Sequence, residues 1–262
     1  MKKIVLSLGA VCLLPFCLLA CTTQTEDTGN SQPSSSETTE ETTMTVAEFL
    51  DKVATANEDV ETVHFDLDLS LQVNDETKTQ VMKADIDYGN NGQTIQRVNA
   101  VIEEVNNGVE SYQEFIFTDD ADYSIYSRAS ENGDWIKQTS GGQFYIQPGY
   151  FSFLEILYSM ENDLELTESD DEYTLVLKSQ NIDLISLFEE ELNLYITGIS
   201  QTEVDKVFEV TFDKDDLYMT GFKMTFDYDG DAGMVDMDIK TDFSDWNQVD
   251  DTVFEAPKDM TI

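Results

Sequence analysis

The chain carries one histidine, three cysteines and 54 acidic residues, and any catalysis or metal binding would have to be built from these. His64 opens a run in which apolar and polar residues alternate, so it falls on the polar face of a strand, next to acids. A serine–histidine–acid relay needs the imidazole seated in a pocket against a serine, and nothing around His64 recommends one. Cys12, Cys17 and Cys21 all precede residue 22, so the remainder has no thiol and no set of zinc ligands. Asp227, Asp229 and Asp231 alternate, with Asp238 in the twelfth place, a faint echo of a calcium-binding loop. Such a loop needs glycine sixth, but Ala232 stands there and Gly233 comes one residue late. These acids fit a hairpin between two strands better, and Asp213-Lys214-Asp215-Asp216 likewise reads as a turn. Ser140-Gly141-Gly142 lacks the strand-to-helix setting and the further glycines of a phosphate-cradling loop. Carboxylate pairs of the kind glycosidases use arise by chance among so many acids. The expectation is therefore no enzyme, no cofactor and no specific metal site, only weak surface contact with divalent ions.

What does stand out is apolar. In Phe144–Met160, Ser152, Glu155 and Ser159 recur at helical spacing as one narrow polar stripe. Tyr150, Phe151, Phe153, Leu154, Ile156, Leu157, Tyr158 and Met160 cover the rest of the circumference. Pro148 suits a first helical turn. A helix this apolar must be covered on most sides, yet it is far shorter than the roughly 20 residues of a membrane span. It either packs on something large and apolar or guards a cavity.

Fourteen basic residues against 54 acidic ones give a formal net charge of −40. Nucleic acid is excluded as a partner, since phosphate contacts need clustered cations. A basic patch for anionic membrane is excluded likewise. The acids are spread along the strands, as on a solvated outer face. Lys2 and Lys3 precede an apolar segment, Ile4 to Ala20, in the manner of a signal peptide (residues 1–20). It ends in Leu18-Leu19-Ala20-Cys21, which resembles the lipobox of bacterial lipoproteins, with Leu19 where a small residue is more usual. That resemblance implies diacylglycerol on the Cys21 thiol, cleavage before it, and anchoring at the outer face of the cell membrane. Thr22 to Thr43 is nearly all Thr, Ser, Glu, Gln, Asp and Asn, so residues 21–43 read as a lipidated cysteine and a disordered tether. Its r.m.s. reach is on the order of 25 Å.

Residues 44–262 read as one domain. Thr45-Val46-Ala47-Glu48 has the form of a capping box, and Val46, Phe49, Leu50 and Val53 predict a helix to about Asn57. The period then switches to two. Phe65, Leu67, Leu69, Leu71 and Val73 face one way, and Asn74-Asp75-Glu76 turns the chain back into Met82, Ala84, Ile86 and Tyr88. Strands follow near Thr94–Glu103, Val109–Thr118, Tyr123–Ser127 and Trp135–Thr139, a meander with short polar turns. After the apolar helix come strands near Leu164–Thr167 and Tyr173–Lys178, then a second amphipathic helix, Ile182 to Leu192, capped by Asn181. Val204–Phe212, Phe222–Tyr228 and Met234–Phe243 are long strands, with a short one at Val253–Phe254.

A sheet this long must curl, and a curled apolar face needs a plug, for which the two helices are the candidates. The fold class expected is α+β. The element order resembles the LolA-like fold, an unclosed antiparallel β-barrel lidded by helices, found in lipoprotein chaperones and lipid-carrier lipoproteins. The opening Val46–Val53 and Val63–Leu71 and the closing Phe254–Met260 carry the resemblance, which is greatest to LolA-like lipoproteins of Gram-positive bacteria. The chaperones' lid-locking arginine has no assignable counterpart among the two arginines, Arg97 and Arg128. The resemblance implies binding of a lipid or other hydrophobic molecule in the half-barrel. The expected ligand walls are Phe65, Leu67, Leu69, Phe115 and Phe117 from the first strands, with Phe222, Met224 and Phe226 from the last. Phe151, Leu154, Leu157, Ile185 and Phe188 are expected to cover them from the helices. If those residues instead fill the core, the chain is an interaction or envelope-stress sensor module with an envelope protein partner. Empty interior volume separates the two readings.

Overall fold

A computed structural model of the chain describes residues 5–7, 44–120, 122–139, 144–192, 195–197, 199–231 and 233–258. Cys21, the tether, Ser140-Gly141-Gly142 and Ala232 lie outside them. The first described strand, β1 (Val5–Ser7), falls within the predicted apolar segment and pairs antiparallel with a short strand late in the chain.

Helix α1 (Val46–Ala56) starts as its sequence predicts. The Thr45 hydroxyl accepts the Glu48 N–H at 3.2 Å, and the Glu48 carboxylate accepts the Thr45 N–H at 2.9 Å. Phe49, Leu50 and Val53 are buried at the spacing of one helical face. Strands β2 (Thr62–Val73), β3 (Glu76–Asp87), β4 (Arg97–Asn106), β5 (Val109–Phe117), β6 (Ser124–Arg128) and β7 (Ile136–Thr139) form the meander. Asn107 and Gly108, both at positive φ (50° and 80°), supply the tight β4–β5 turn whose twist suits a hairpin.

Helix α2 (Tyr150–Ser159) follows, then β8 (Leu164–Glu168), β9 (Glu172–Leu177), α3 (Leu184–Phe188), β10 (Tyr195–Thr197), which is the partner of β1, and β11 (Asp205–Asp213), β12 (Met219–Gly230) and β13 (Gly233–Ser244). Eleven strands make one antiparallel sheet in the order β7-β6-β5-β4-β3-β2-β13-β12-β11-β9-β8. The first and last strands of the chain's two halves, β2 and β13, meet at its middle, from Val73↔Val235 to His64↔Ser244. The two edges, β7 and β8, are not paired with each other, so the barrel is unclosed. The fold is α+β, a half-barrel with an N-terminal helix and two further helices against its apolar face. Among the described residues, every strand of this sheet and every α-helix lies between Val46 and Ser244.

Four local expectations are corrected. Pro148 precedes the α2 cap, Gly149, after a cis peptide bond, instead of entering the first helical turn. The cap of α3 is Asp183, whose carboxylate accepts the Ser186 N–H at 3.0 Å, and not Asn181. The α-helix there covers five residues of the predicted eleven, because Glu190 to Leu192 continue as a turn. Val253–Phe254 belongs to a single 3-10 turn, Asp251–Phe254, held by Asp250 and clamped by Arg97, and not to a strand.

Candidate functional site

The polar stripe of α2 predicts its orientation. Ser152, Glu155 and Ser159 are exposed, while Tyr150, Phe151, Phe153, Leu154 and Leu157 are buried. Phe153 lies at the centre of an aromatic array: its ring centroid is 4.3 Å from Phe222, 5.1 Å from Phe188 and 6.3 Å from Phe208. Phe151 meets Tyr88 edge-on at 4.8 Å. Tyr150 packs against Phe243 and Trp246 and gives its hydroxyl proton to buried Asn57. On the far side, Phe115 and Phe117 pack on Phe144, at 5.3 and 5.1 Å.

Of the thirteen expected wall and cover residues, all but Leu69 are buried, and Leu69 packs against the cluster from a half-buried position. Strand register gathers Phe222, Met224 and Phe226 with Leu67, Leu69 and Phe65 on one face. Phe115 and Phe117 line the same face two strands away from β3. Beneath α3, however, the expected hollow is nearly closed. The space enclosed between α3, β12 and β13 amounts to about 10 Å³, lined by Leu184, Ile185, Phe188, Glu189, Leu192, Met224, Phe226 and Met237. That is room for about one water molecule.

A second hollow lies at the hairpin end of the same face. It holds about 220 Å³ and is lined by Leu71, Val73, Glu76, Thr77, Lys78, Asn106 and Asn107. Phe153, Phe208, Met237 and the residues of this bay were not among those expected from the sequence. Continuation of the alternation through Met237 and Phe208 marks two of them, but the bay depends on register.

Polar contacts hold α3 at both ends. On its N-terminal side the Lys206 ammonium donates to the Ile182 carbonyl, and the Gln180 carboxamide brackets the Lys206 backbone at 3.0 and 3.2 Å. Burial lowers the Lys206 pKa, with Asp183 opposing. On its C-terminal side the half-buried Glu191 carboxylate accepts the Gly149 N–H at 2.9 Å, capping α2 from a distant segment. Burial raises the Glu191 pKa, against the pull of the Gly149 and Ser152 donors. The five helical residues between these holds rest on apolar contact.

His64 Nδ1 lies 2.7 Å from Asp85 and Nε2 lies 3.6 Å from Asp66, an ion-pair setting on the outer face. Asp227 and Asp229 project from the outer side of β12, and Asp238 from that of β13. Among the described residues, no three His, Cys, Asp or Glu side chains are placed to hold a metal ion. No described helix is long and apolar enough to cross a membrane.

Residues 45–259 match the model of DUF6612, a family of unknown function. Comparison with the curated proteins found no match. Among solved structures, the lipoprotein LppX of Mycobacterium tuberculosis is 12% identical, with 79% of this chain and 97% of that one covered and a TM-score of 0.39. LprF of Mycobacterium bovis is also 12% identical, with 77% and 92% covered and a TM-score of 0.40. A DUF1329 family protein of Desulfovibrio piger gives 10% identity, 81% and 98% coverage and a TM-score of 0.25.

Proposed function

We propose that this chain, which belongs to the DUF6612 family, is a lipoprotein tethered to the outer face of the cell membrane through Cys21 that shelters an alkyl-chain lipid or similar hydrophobic molecule between α3 and the sheet. The observation that carries the reading is the seam under α3: a five-residue helix whose side-chain polar contacts, among the described residues, gather at its two ends, over walls that are apolar except for Glu189. Because the seam is closed, a ligand enters by lifting α3. Uncovering Leu184, Ile185 and Phe188 costs roughly 5–9 kcal/mol, which roughly six to eleven sheltered methylenes offset. A long alkyl chain meets that requirement and a small apolar molecule does not. Met224 and Met237, unbranched and adaptable, suit walls that must re-pack around such a chain.

The test is extraction of the purified protein with organic solvent followed by mass spectrometry. The expected result is non-covalent alkyl-chain lipid in near-equal ratio to protein, distinct from the covalent anchor. Absence of lipid, together with no uptake of alkyl probes, would end this reading.

A second reading is favoured by the filled interior itself. A solid half-barrel with an exposed edge could dock an envelope protein, and all four residues of β7 are exposed. Edge strands of this kind accept a partner strand.

A further inference from the structure

The two hollows lie on one line. Cross-strand partners run Phe226–Met237 between β12 and β13, Met237–Leu71 between β13 and β2, Leu71–Lys78 between β2 and β3, and Lys78–Asn106 between β3 and β4. Directly paired residues project to the same side of a sheet, so this row begins in the apolar seam beneath α3 and ends in the wall of the 220 Å³ bay. Four strand spacings separate its ends, about 19 Å. The row changes character on the way, from an aromatic ring and a thioether, through Leu71, to an ammonium and a carboxamide.

The charges in the bay define what its end of the row accepts. Lys78 is paired to Glu104 at 2.9 Å, both side chains mostly buried, so its charge is already met. Glu76 at the rim leaves the bay negative, in a protein of net charge −40. An anionic head is repelled there. A quaternary ammonium head would want an aromatic cage, and the bay's lining contains no aromatic ring. Asn106, Asn107 and the carboxylates instead offer donors and acceptors to hydroxyl groups.

From this we infer that the bay is a head-group subsite, and that the ligand is an amphiphile lying across the strands, with its alkyl tail in the α3 seam and an uncharged, hydroxyl-rich head between Lys78, Asn106 and Asn107. The inference rests on the proposed sheltering of an alkyl chain and adds the identity and place of the head.

The experiment uses the full-length protein and three probes below their micelle concentrations that share a dodecyl tail: the maltoside, the sulfate and the trimethylammonium. Calorimetric titration should show the maltoside bound about tenfold more tightly than either charged probe, the worth of one or two extra hydrogen bonds. Asn106→Trp, which fills the bay beside an exposed turn, should remove that preference and leave the affinities for the three probes alike. Glu76→Trp, on the same side of the neighbouring strand, reaches the same space should Asn106→Trp fail to fold. Equal binding of all three probes by the unaltered protein, or preference for a charged head, overturns the head-group subsite while leaving the tail seam standing. Failure of every probe to bind overturns the sheltering of an alkyl chain and the subsite with it.

Discussion

At the scale of single residues, the chain's two arginines are both structural clamps. Arg97 binds buried Asp87 and also Asp251, 2.7 Å away, and its guanidinium lies 4.7 Å from the centre of the Phe254 ring. It thereby pins the C-terminal turn to β4. Arg97→Lys keeps the charge but loses the planar fork and the stacking, and should lower stability in urea denaturation by about 1.5–3 kcal/mol. Arg128 holds Glu114 and stacks over Trp135 in the same way, so neither arginine reaches the helices as a lid lock would. His64 gives a pH signature. Its hydrogen bond to Asp85 raises its pKa above 6.5, with Asp66 and Asp245 adding to the effect and burial opposing. The stabilisation is complete below the unfolded-state value near 6.5 and is lost as pH rises through the higher folded value. Denaturation midpoints measured from pH 5.5 upward should therefore fall across that window in the native chain, and stay flatter in His64→Gln.

Among the elements, α2 was legible and α3 was not fully so. The three-residue polar stripe of α2 fixed which side faces water, and all three members are exposed. For α3 the apolar count of residues 182–192 exceeded what the helix uses: Leu187 is 36% exposed, and Ile182 and Leu192 pack from outside the helix. A short apolar run fits several local structures, and Asp183 as cap had no stronger sequence signal than Asn181. Val253–Phe254 looked like a strand because a buried Phe254 follows a branched residue, but burial there comes from a turn folded under Arg97. A polar link between the two covering helices is Glu191, whose pKa is raised by burial. A carboxyl with a raised folded pKa favours the folded state below its unfolded value, near 4.5, and loses that contribution as pH rises through the folded value. Glu191→Gln keeps an acceptor for the Gly149 N–H and removes the buried charge. It should be equal to the native protein near pH 4 and at least as stable near pH 7, while Glu191→Ala should be less stable at both. Thermal melts at the two pH values check this.

Across the whole molecule, the element order, the open antiparallel sheet and its apolar face could be read from alternation and turn residues. The filling of that face could not, because pattern gives which residues point inward and not the volume they leave. Nor could the row from Phe226 to Asn106, which depends on five strands coming into register. The chain carries a net charge of −40, and charges of one sign repel one another. Raising sodium chloride from low concentration to about 0.15 M, where the screening length is about 8 Å, should raise the melting temperature. The central claim is that the sheet opens at α3 to take in an alkyl chain. Native-state hydrogen exchange, with and without dodecyl maltoside, tests it most directly. Residues 182–192 should exchange far faster than β2 and β13, and the maltoside should change their rates while leaving those strands as they were. Protection of 182–192 equal to that of β2 and β13, and unaltered by the maltoside, would contradict it.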